Sequence, residues 1–403
     1  MAEMKKKKFT SSIAYGDGWT EEGLGAMARK NPEEFMRRAD DLIEKGELTA
    51  SKITSLRHLW NSLDGVQVKH TVLDALGSVR TITSNAFPIL TGNLLVNEVN
   101  MGREAVPTIG QELVTESDDP KKWSHYAGIL VTAPNQSGVA EMEPFPEVGA
   151  SAERYDIGHL RNGFKMSITA EAIEENEWPQ ITMKCNKLGE ITEEVIEEQT
   201  LYRVTDKNGS ATTPAEPYVL RVNGGAASLY VTTNSTLTRL SSSGNRITNN
   251  ALTDETDLEA ALTRLASFTN ERGKRIAIPM SRLVLLTPFA LDATAAKILG
   301  SEYAPGVENE LNNWGPRGSR RPRHLSSSKM DDLSTSAWYL GDFKSQFVRK
   351  WKLRYENASL GGNGTQLWLD QRIAAQFRLA WDVEIGAIGY TGVVQCLSGT
   401  TAP

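Results

Sequence analysis

The chain has 403 residues, 39% of them hydrophobic, enough for two or three packed layers and more than one core. A formal charge of -6 at pH 7 argues against a protein that coats duplex DNA with a broad basic face, although local basic patches leave room for weak contact with confined DNA. No stretch approaches the roughly 20 consecutive apolar residues of a membrane helix, and the lysines Lys5 to Lys8 have no apolar h-region behind them. Cys185 and Cys396 lack CxxC spacing and a neighbouring histidine, so they read as small buried hydrophobes suited to a reducing cytoplasm, not as zinc ligands or a disulfide.

Residues 1–84 read as helices joined by short turns. Asn31 and Pro32 supply an N-cap and a first-turn proline, Phe35, Ala39 and Leu42 follow at helical spacing, and Gly46 is the stop. Ile53, Leu56, Leu59, Trp60 and Leu63 mark a second amphipathic helix. Two such helices make too small a core to stand alone, so the region is expected to lie on something larger.

From Asn85 to Lys165 the reading turns extended, with Pro107, Pro120, Pro134, Pro144 and Pro146 as helix breakers. Gly138 to Gly149 is a loop between two arms, and the return arm, Ala152 to Ile168, alternates apolar and polar residues as a long two-stranded hairpin does. Such a hairpin needs another chain to lie on.

Helix formers begin at Thr169, and after Pro179 a long helical pattern runs toward Val204. In it Leu188, Ile191, Val195 and Tyr202 are assigned a dry face, and Glu190, Glu193, Glu194, Glu197 and Glu198 an acidic one in need of a basic neighbour, possible on another subunit. Segments Pro217–Val222 and Ser228–Thr233 read as strands. A capping box at Thr256 and Glu259 opens a helix, Arg282 to Leu286 is a buried strand, and Thr287-Pro288 opens a helix that stops at Gly300. Next comes a long polar loop, 301–336, carrying Arg317, Arg320, Arg321, Arg323 and His324. Trp338 to Leu340 and Phe347-Val348 read as strands. Ala375 to Ile385 is a long one with one apolar face.

No phosphate loop, nucleophile elbow or zinc-helix motif is present, and the five histidines are scattered singly. The pairs Glu174-Glu175 and Glu193-Glu194 satisfy the bare requirement of carboxylate catalysis, two carboxyls within reach of one bond, but a solvated helix face explains them as well. Lys5 to Lys8 and the arginine cluster read either as solubilising surface or as contacts to phosphate and acidic partners; forked guanidinium groups facing the acidic helix of another subunit are the preferred reading of the cluster.

Several pieces in order, Ala86 to Leu90, Val139 to Glu143, Glu153 to Asp156, Phe164 to Ile173, Ile278 to Leu286, Trp338 to Leu340 and the terminal strand, resemble tailed-bacteriophage major capsid proteins, particularly the Mu-like major head subunit branch. The resemblance implies an α+β HK97-like capsid fold. Residues 1–84 would be an N-terminal helical arm, 85–134 would lead into the P domain, 135–168 would be the E-loop, 169–205 the spine helix, 206–370 the A domain and 371–403 a P-domain strand with the C-terminus. It also implies a structural subunit without cofactor, metal or catalytic residues, located in the virion capsid and assembled in the host bacterial cytoplasm. Implied partners are further copies in hexamers and pentamers, a portal at one vertex, scaffold and decoration proteins, and packaged double-stranded DNA held by weak non-specific contact, with no membrane. Subunit contacts are expected at Glu141, Glu143, Phe145, Glu147, Arg154, Glu193, Glu194, Glu197, Arg317, Arg320, Arg321 and Arg323.

Two departures follow from the residues present. The Ser, His and Asp residues of 1–84 form no arrangement that points to a fused protease, and the loop 141–150 has no lysine for a crosslink. An encapsulin-like compartment shell is the rival on the same fold, and a soluble hydrolase using paired carboxylates the rival of a different class.

Overall fold

The computed structural model describes residues 28–45, 48–50, 53, 56–63, 67–73, 79–132, 149–207, 219–233, 237, 240, 244–269, 274–277, 280–303, 311–361 and 366–399. In chain order its elements are α1 (Pro32–Glu44), α2 (Leu56–Leu63), β1 (Gln67–Leu73), β2 (Val79–Asn85), α3 (Ala86–Glu104), α4 (Gly110–Leu113), β3 (Thr115–Asp118), β4 (Ser124–Thr132), β5 (Gly149–Ile157) and β6 (Leu160–Thr169). There follow α5 (Ala170–Glu174), α6 (Trp178–Thr205), β7 (Leu220–Val222), β8 (Gly225–Ala227), β9 (Arg246–Ile247), α7 (Glu255–Ser267), β10 (Val284–Pro288) and α8 (Asp292–Gly300). The last are β11 (Arg323–Ser327), β12 (Trp338–Gly341), β13 (Phe347–Gly361), α9 (Gln366–Gln371), β14 (Ile373–Ala387) and β15 (Val393–Cys396). This is an α+β chain. Among the described residues no helix is long and apolar enough to cross a membrane.

The chain divides into two units, each with its own core. The first comprises Met1–Pro107, Arg161–Glu194 and Arg354–Trp381. Phe35, Ala39 and Ile43 of α1 and Leu59 and Leu63 of α2 share its core with Phe87, Leu90, Leu94 and Val99 of α3 and with Ile181 and Cys185 of α6. The Trp178 indole N–H donates to the Ala50 carbonyl at 2.7 Å, which fastens the start of α6 to the N-terminal helices.

Helix α3 corrects the extended reading of residues 85–104. Its first two turns, Ala86 to Gly92, are buried on every side and carry no polar stripe, and the helical period is marked only later, by Asn93, Asn97, Asn100 and Glu104. Pro88 is tolerated because it stands in the first turn, where a backbone N–H has no helical partner to lose. Upstream, residues 67–73 and 79–85 pair as antiparallel strands, Gln67 opposite Asn85 and Leu73 opposite Val79, and are not the helix-and-turn run expected to Ser84. Its signal is β-branched density: Val68, Thr71, Val72, Val79, Thr81, Ile82 and Thr83.

Helices α3 and α6 cross in near backbone contact. A Cβ on Gly189 would lie 2.0 Å from the Val99 carbonyl oxygen, and one on Gly102 2.1 Å from that of Asn186. Only glycine at both positions permits the crossing. In the same unit β14 lies between β13 and β6, and Ser167 of β6 accepts a hydrogen bond from Gln376 at 3.0 Å.

The second unit comprises Thr108–Leu160, Val195–Leu353 and Asp382–Pro403. Its five-stranded sheet runs β11-β10-β12-β15-β9, with β10 and β11 parallel and β12 antiparallel to both β10 and β15. Helices α7 and α8 contribute Leu258, Leu262, Leu265, Ile298 and Leu299 to a core that also takes Trp314 and Trp338. The capping box of α7 uses Asp254 and Asp257, two residues before the expected Thr256 and Glu259. Ser228–Thr233 is not a strand, and β7 starts at Leu220.

A second sheet of this unit, β4-β5-β7-β8, contains the long ribbon. Strands β4 and β5 pair from Ser124 opposite Ile157 to Thr132 opposite Gly149, and β7 joins the ladder of β5 at Tyr155 opposite Val222. The expected return arm to Ile168 is therefore two strands: after Gly158 and His159 the chain continues as β6 in another sheet. Gly158 is hemmed in, since a Cβ there would meet the Glu384 carboxylate at 2.8 Å and the Trp123 ring at 3.2 Å.

Candidate functional site

The acidic face expected on α6 is rearranged by burial. Glu193 and Glu197 are only 7% and 4% exposed, whereas Ile191, assigned to the dry face, is 44% exposed. The buried stripe runs instead through Ile181, Cys185, Gly189, Thr192 and Ile196, at spacings of three and four, where small side chains admit α3.

In the first unit Glu193 pairs with Arg103 at 3.2 Å, and that guanidinium also covers the Tyr355 ring at 3.7 Å. In the second, Glu197 accepts from the backbone N–H of Ile109 at 2.9 Å and of Gly110 at 3.0 Å. Burial raises its pKa, opposed by those amide bonds and by the charge of Arg349. Arg349, itself 2% exposed, donates to Thr200 Oγ1 at 2.8 Å. Lys187 answers Glu190 at 2.5 Å, Lys329 lies 3.6 Å from Glu198, and Glu194 is half-buried and engaged. The basic neighbours of this helix thus come from its own chain.

The arginine cluster is likewise engaged. Arg320 grips Glu259 with both carboxylate oxygens, the longer contact 2.7 Å, and the fully buried Trp314 donates its indole N–H to the same carboxylate at 3.2 Å. Arg317 stands 3.4 Å from Glu302, and Arg323 pairs with Glu112. Arg323 and His324 belong to strand β11, which corrects the reading of 301–336 as one loop. Arg321 is exposed, with no ion-pair partner among the described residues.

At the ribbon's base Arg154 and His125 both reach Asp156, at 2.9 and 2.6 Å. Asn223, in the left-handed region at φ 51°, accepts from the Arg154 N–H and donates to its carbonyl. Glu153 is buried and accepts from the Tyr155 hydroxyl at 2.7 Å and the Tyr390 hydroxyl at 3.3 Å. Glu141, Glu143, Phe145 and Glu147 lie outside the described residues.

Glu174, at the end of α5, and Glu175, its C-cap, are exposed, and among the described residues no group of three His, Cys, Asp or Glu side chains is placed to hold a metal ion. Both thiols are buried and free, and burial pushes each up to about 12. Sequence reading missed the partners Arg103, Glu112, Glu259, Glu302 and Arg349. Each is distant in sequence from the residue it serves, so no local pattern points to it.

A family model described as phage capsid protein matches residues 160–395. The chain is similar to the capsid of a native GTA particle, at 8% identity and TM-score 0.45 over 73% of this chain and 92% of that one. It is also similar to the capsid of cyanophage P-SCSP1u, at 11% identity and TM-score 0.47 over 72% and 88%, and to a virus-like particle from Pyrococcus furiosus, at 9% identity and TM-score 0.36 over 75% and 95%. No curated protein sequence matches.

Proposed function

From the chain's membership of the phage capsid protein family, which makes it a structural major capsid protein, we propose that it assembles with copies of itself into the HK97-type shell enclosing a tailed-phage genome. The observation that carries this reading is the family match over residues 160–395, which takes in α6, both long strands and the five-stranded sheet. In this reading the ribbon β4–β5 with its tip is the E-loop, α6 the spine, β14 the P-domain strand, residues 206–370 the A domain and residues 1–84 the N-terminal arm.

Physical support comes from the ribbon. Beyond Tyr155 it is two strands wide among the described residues, too few to hold its shape alone in water, and a neighbouring copy supplies the missing surface. Interfaces of obligate assemblies bury on the order of 2,000 to 5,000 Å². The contacts assigned to this work are Glu141, Glu143, Phe145 and Glu147 at the tip, Arg154 at the base, and Arg321 with Arg317 on the surface. Glu193, Glu194, Glu197, Arg320 and Arg323 hold the subunit's own structure first.

The subunit acts without catalysis, is built into particles in the host cytoplasm, and meets a portal at one vertex, scaffold and decoration proteins, and DNA by weak non-specific contact. Purified particles treated with nuclease should retain protected double-stranded DNA and give a single band near 44 kDa on a denaturing gel. Particles holding a protein cargo and no nucleic acid would overturn the genome reading, and a ladder of crosslinked bands would overturn the non-covalent one.

A further inference from the structure

Residues 119–123 join β3 to β4, and the backbone of this loop is fixed by several hydrogen bonds. The Asp119 N–H donates to the Trp351 carbonyl at 2.9 Å, and its carboxylate accepts from the Lys121 N–H at 3.0 Å and from the Ser124 hydroxyl. A further tie is Lys350, which is fully buried and whose ammonium donates to the Lys121 carbonyl at 2.6 Å. The Trp123 ring lies 3.2 Å from where a Cβ on Gly158 would stand, and the Arg221 guanidinium is 5.1 Å from its centroid. The loop is therefore a fixed mount for the side chains it exposes, Lys121, Lys122 and Trp123, the last 44% exposed.

The carboxylates beside this mount have cations of their own. Glu384 pairs with Arg221 at 2.8 Å, and the buried Asp382 stands 3.6 Å from His159 and 4.0 Å from Lys352. Lys121 and Lys122 have no ion-pair partner among the described residues, whereas three of the four guanidinium groups of the arginine cluster are paired within the chain. Two adjacent ammonium groups beside a flat ring, in a chain of net charge -6, make a local spot that attracts a polyanion. Lysine meets phosphate as a point charge, without the planar fork by which arginine matches a carboxylate, and so suits a contact that does not depend on register. We propose that residues 121–123 touch the phosphate backbone of the packaged double-stranded DNA, the two ammonium groups on phosphate oxygens and Trp123 against the sugars, with no base read. This inference rests on the shell reading and assigns its weak DNA contact to one loop.

Two measurements on the full chain test it. Acetylation read by mass spectrometry should spare Lys121 and Lys122 in particles filled with DNA and modify them in particles emptied of it; equal reactivity in the two states, high or low, overturns the assignment. For the unassembled chain, Lys121→Gln with Lys122→Gln should reduce the slope of log affinity for a DNA duplex against log salt by about 2, close to one for each phosphate contact. Lys297→Gln with Lys344→Gln, the same change of charge at two other exposed lysines, should leave the slope as it is. An equal fall in both variants would make the effect one of net charge alone, and an unchanged slope in the first would remove the contact; either result overturns the proposal. So would equally tight binding of polyglutamate, which would assign the loop to an acidic protein. The Lys121→Gln, Lys122→Gln chain should still form shells, and a variant that folds but forms none would place the loop in a subunit contact and overturn the proposal as well. Failure of the unmodified protein to form shells would instead sink the shell reading, which keeps the two apart.

Discussion

Replacing Gly189 by alanine should destabilise the subunit, although alanine is the better helix former. On propensity alone the exchange is worth about 1 kcal/mol in favour of the variant. Against that, the new methyl would lie 2.0 Å from the Val99 carbonyl oxygen, a backbone atom of α3 that no rotamer change can move aside. Reaching even 3.0 Å requires α3 and α6 to separate by about 1 Å, which loosens the packing of Leu94, Leu95, Val99 and Cys185 around the crossing. Overpacking of this kind costs about 1 to 3 kcal/mol and more where the backbone must shift, so the net loss should be about 2 kcal/mol. The assay is urea unfolding of the unassembled full-length chain, followed by tryptophan fluorescence and circular dichroism, beside Gly300→Ala. Gly300 ends α8 with nothing within 4 Å of a Cβ, so that substitution should be neutral or slightly stabilising. Equal midpoints for the two variants would refute the account of the crossing.

Glu197→Ala removes the acceptor of the Ile109 and Gly110 amides and should cost about 2 to 3 kcal/mol, read as a lower urea midpoint; an unchanged midpoint would mean the segment before β3 is held by something else. His159 is held below its ordinary pKa first by burial and then by Lys352, with Lys350 and Lys122 adding to this and Asp382 opposing it. Because the folded value is depressed, the stability it contributes is present above the unfolded pKa, near 6.5, and is lost as pH falls through the folded value. His159→Gln should therefore flatten the fall in urea midpoint below about pH 6.5, and an unaltered slope would contradict that assignment.

Elements with an uninterrupted single-face pattern were legible in the sequence. Helix α7 follows the 3.6 period directly and β14 alternates in sequence although both its faces are largely buried, whereas β10 was read from a short apolar run and α6 from its run of helix formers. Strands β4 and β5 fall within the stretch read as extended, but the return arm read to Ile168 divides at Gly158 and His159, a change of sheet that alternation alone does not show. Helix α3 was not legible, because burial on all sides of its first two turns, with Pro88 among them, hides the period there, and the acidic face of α6 was misassigned because burial of Glu193 and Glu197 depends on Arg103 and on the Ile109 and Gly110 amides. For the same reason Arg320, expected to be spared for contacts between subunits, is tied to Glu259 and the Trp314 indole, so reversing it disturbs the second unit itself. Substitutions in α1 and α2 have a similar consequence, since their apolar residues belong to the core of the first unit.

The central claim, that this subunit's activity is assembly, is tested most directly by sedimentation velocity of the purified full-length chain, with the fast-sedimenting material viewed by negative-stain microscopy. The account predicts rings of five or six copies and closed shells. A single species of 44.3 kDa that stays monomeric as its concentration is raised would contradict it.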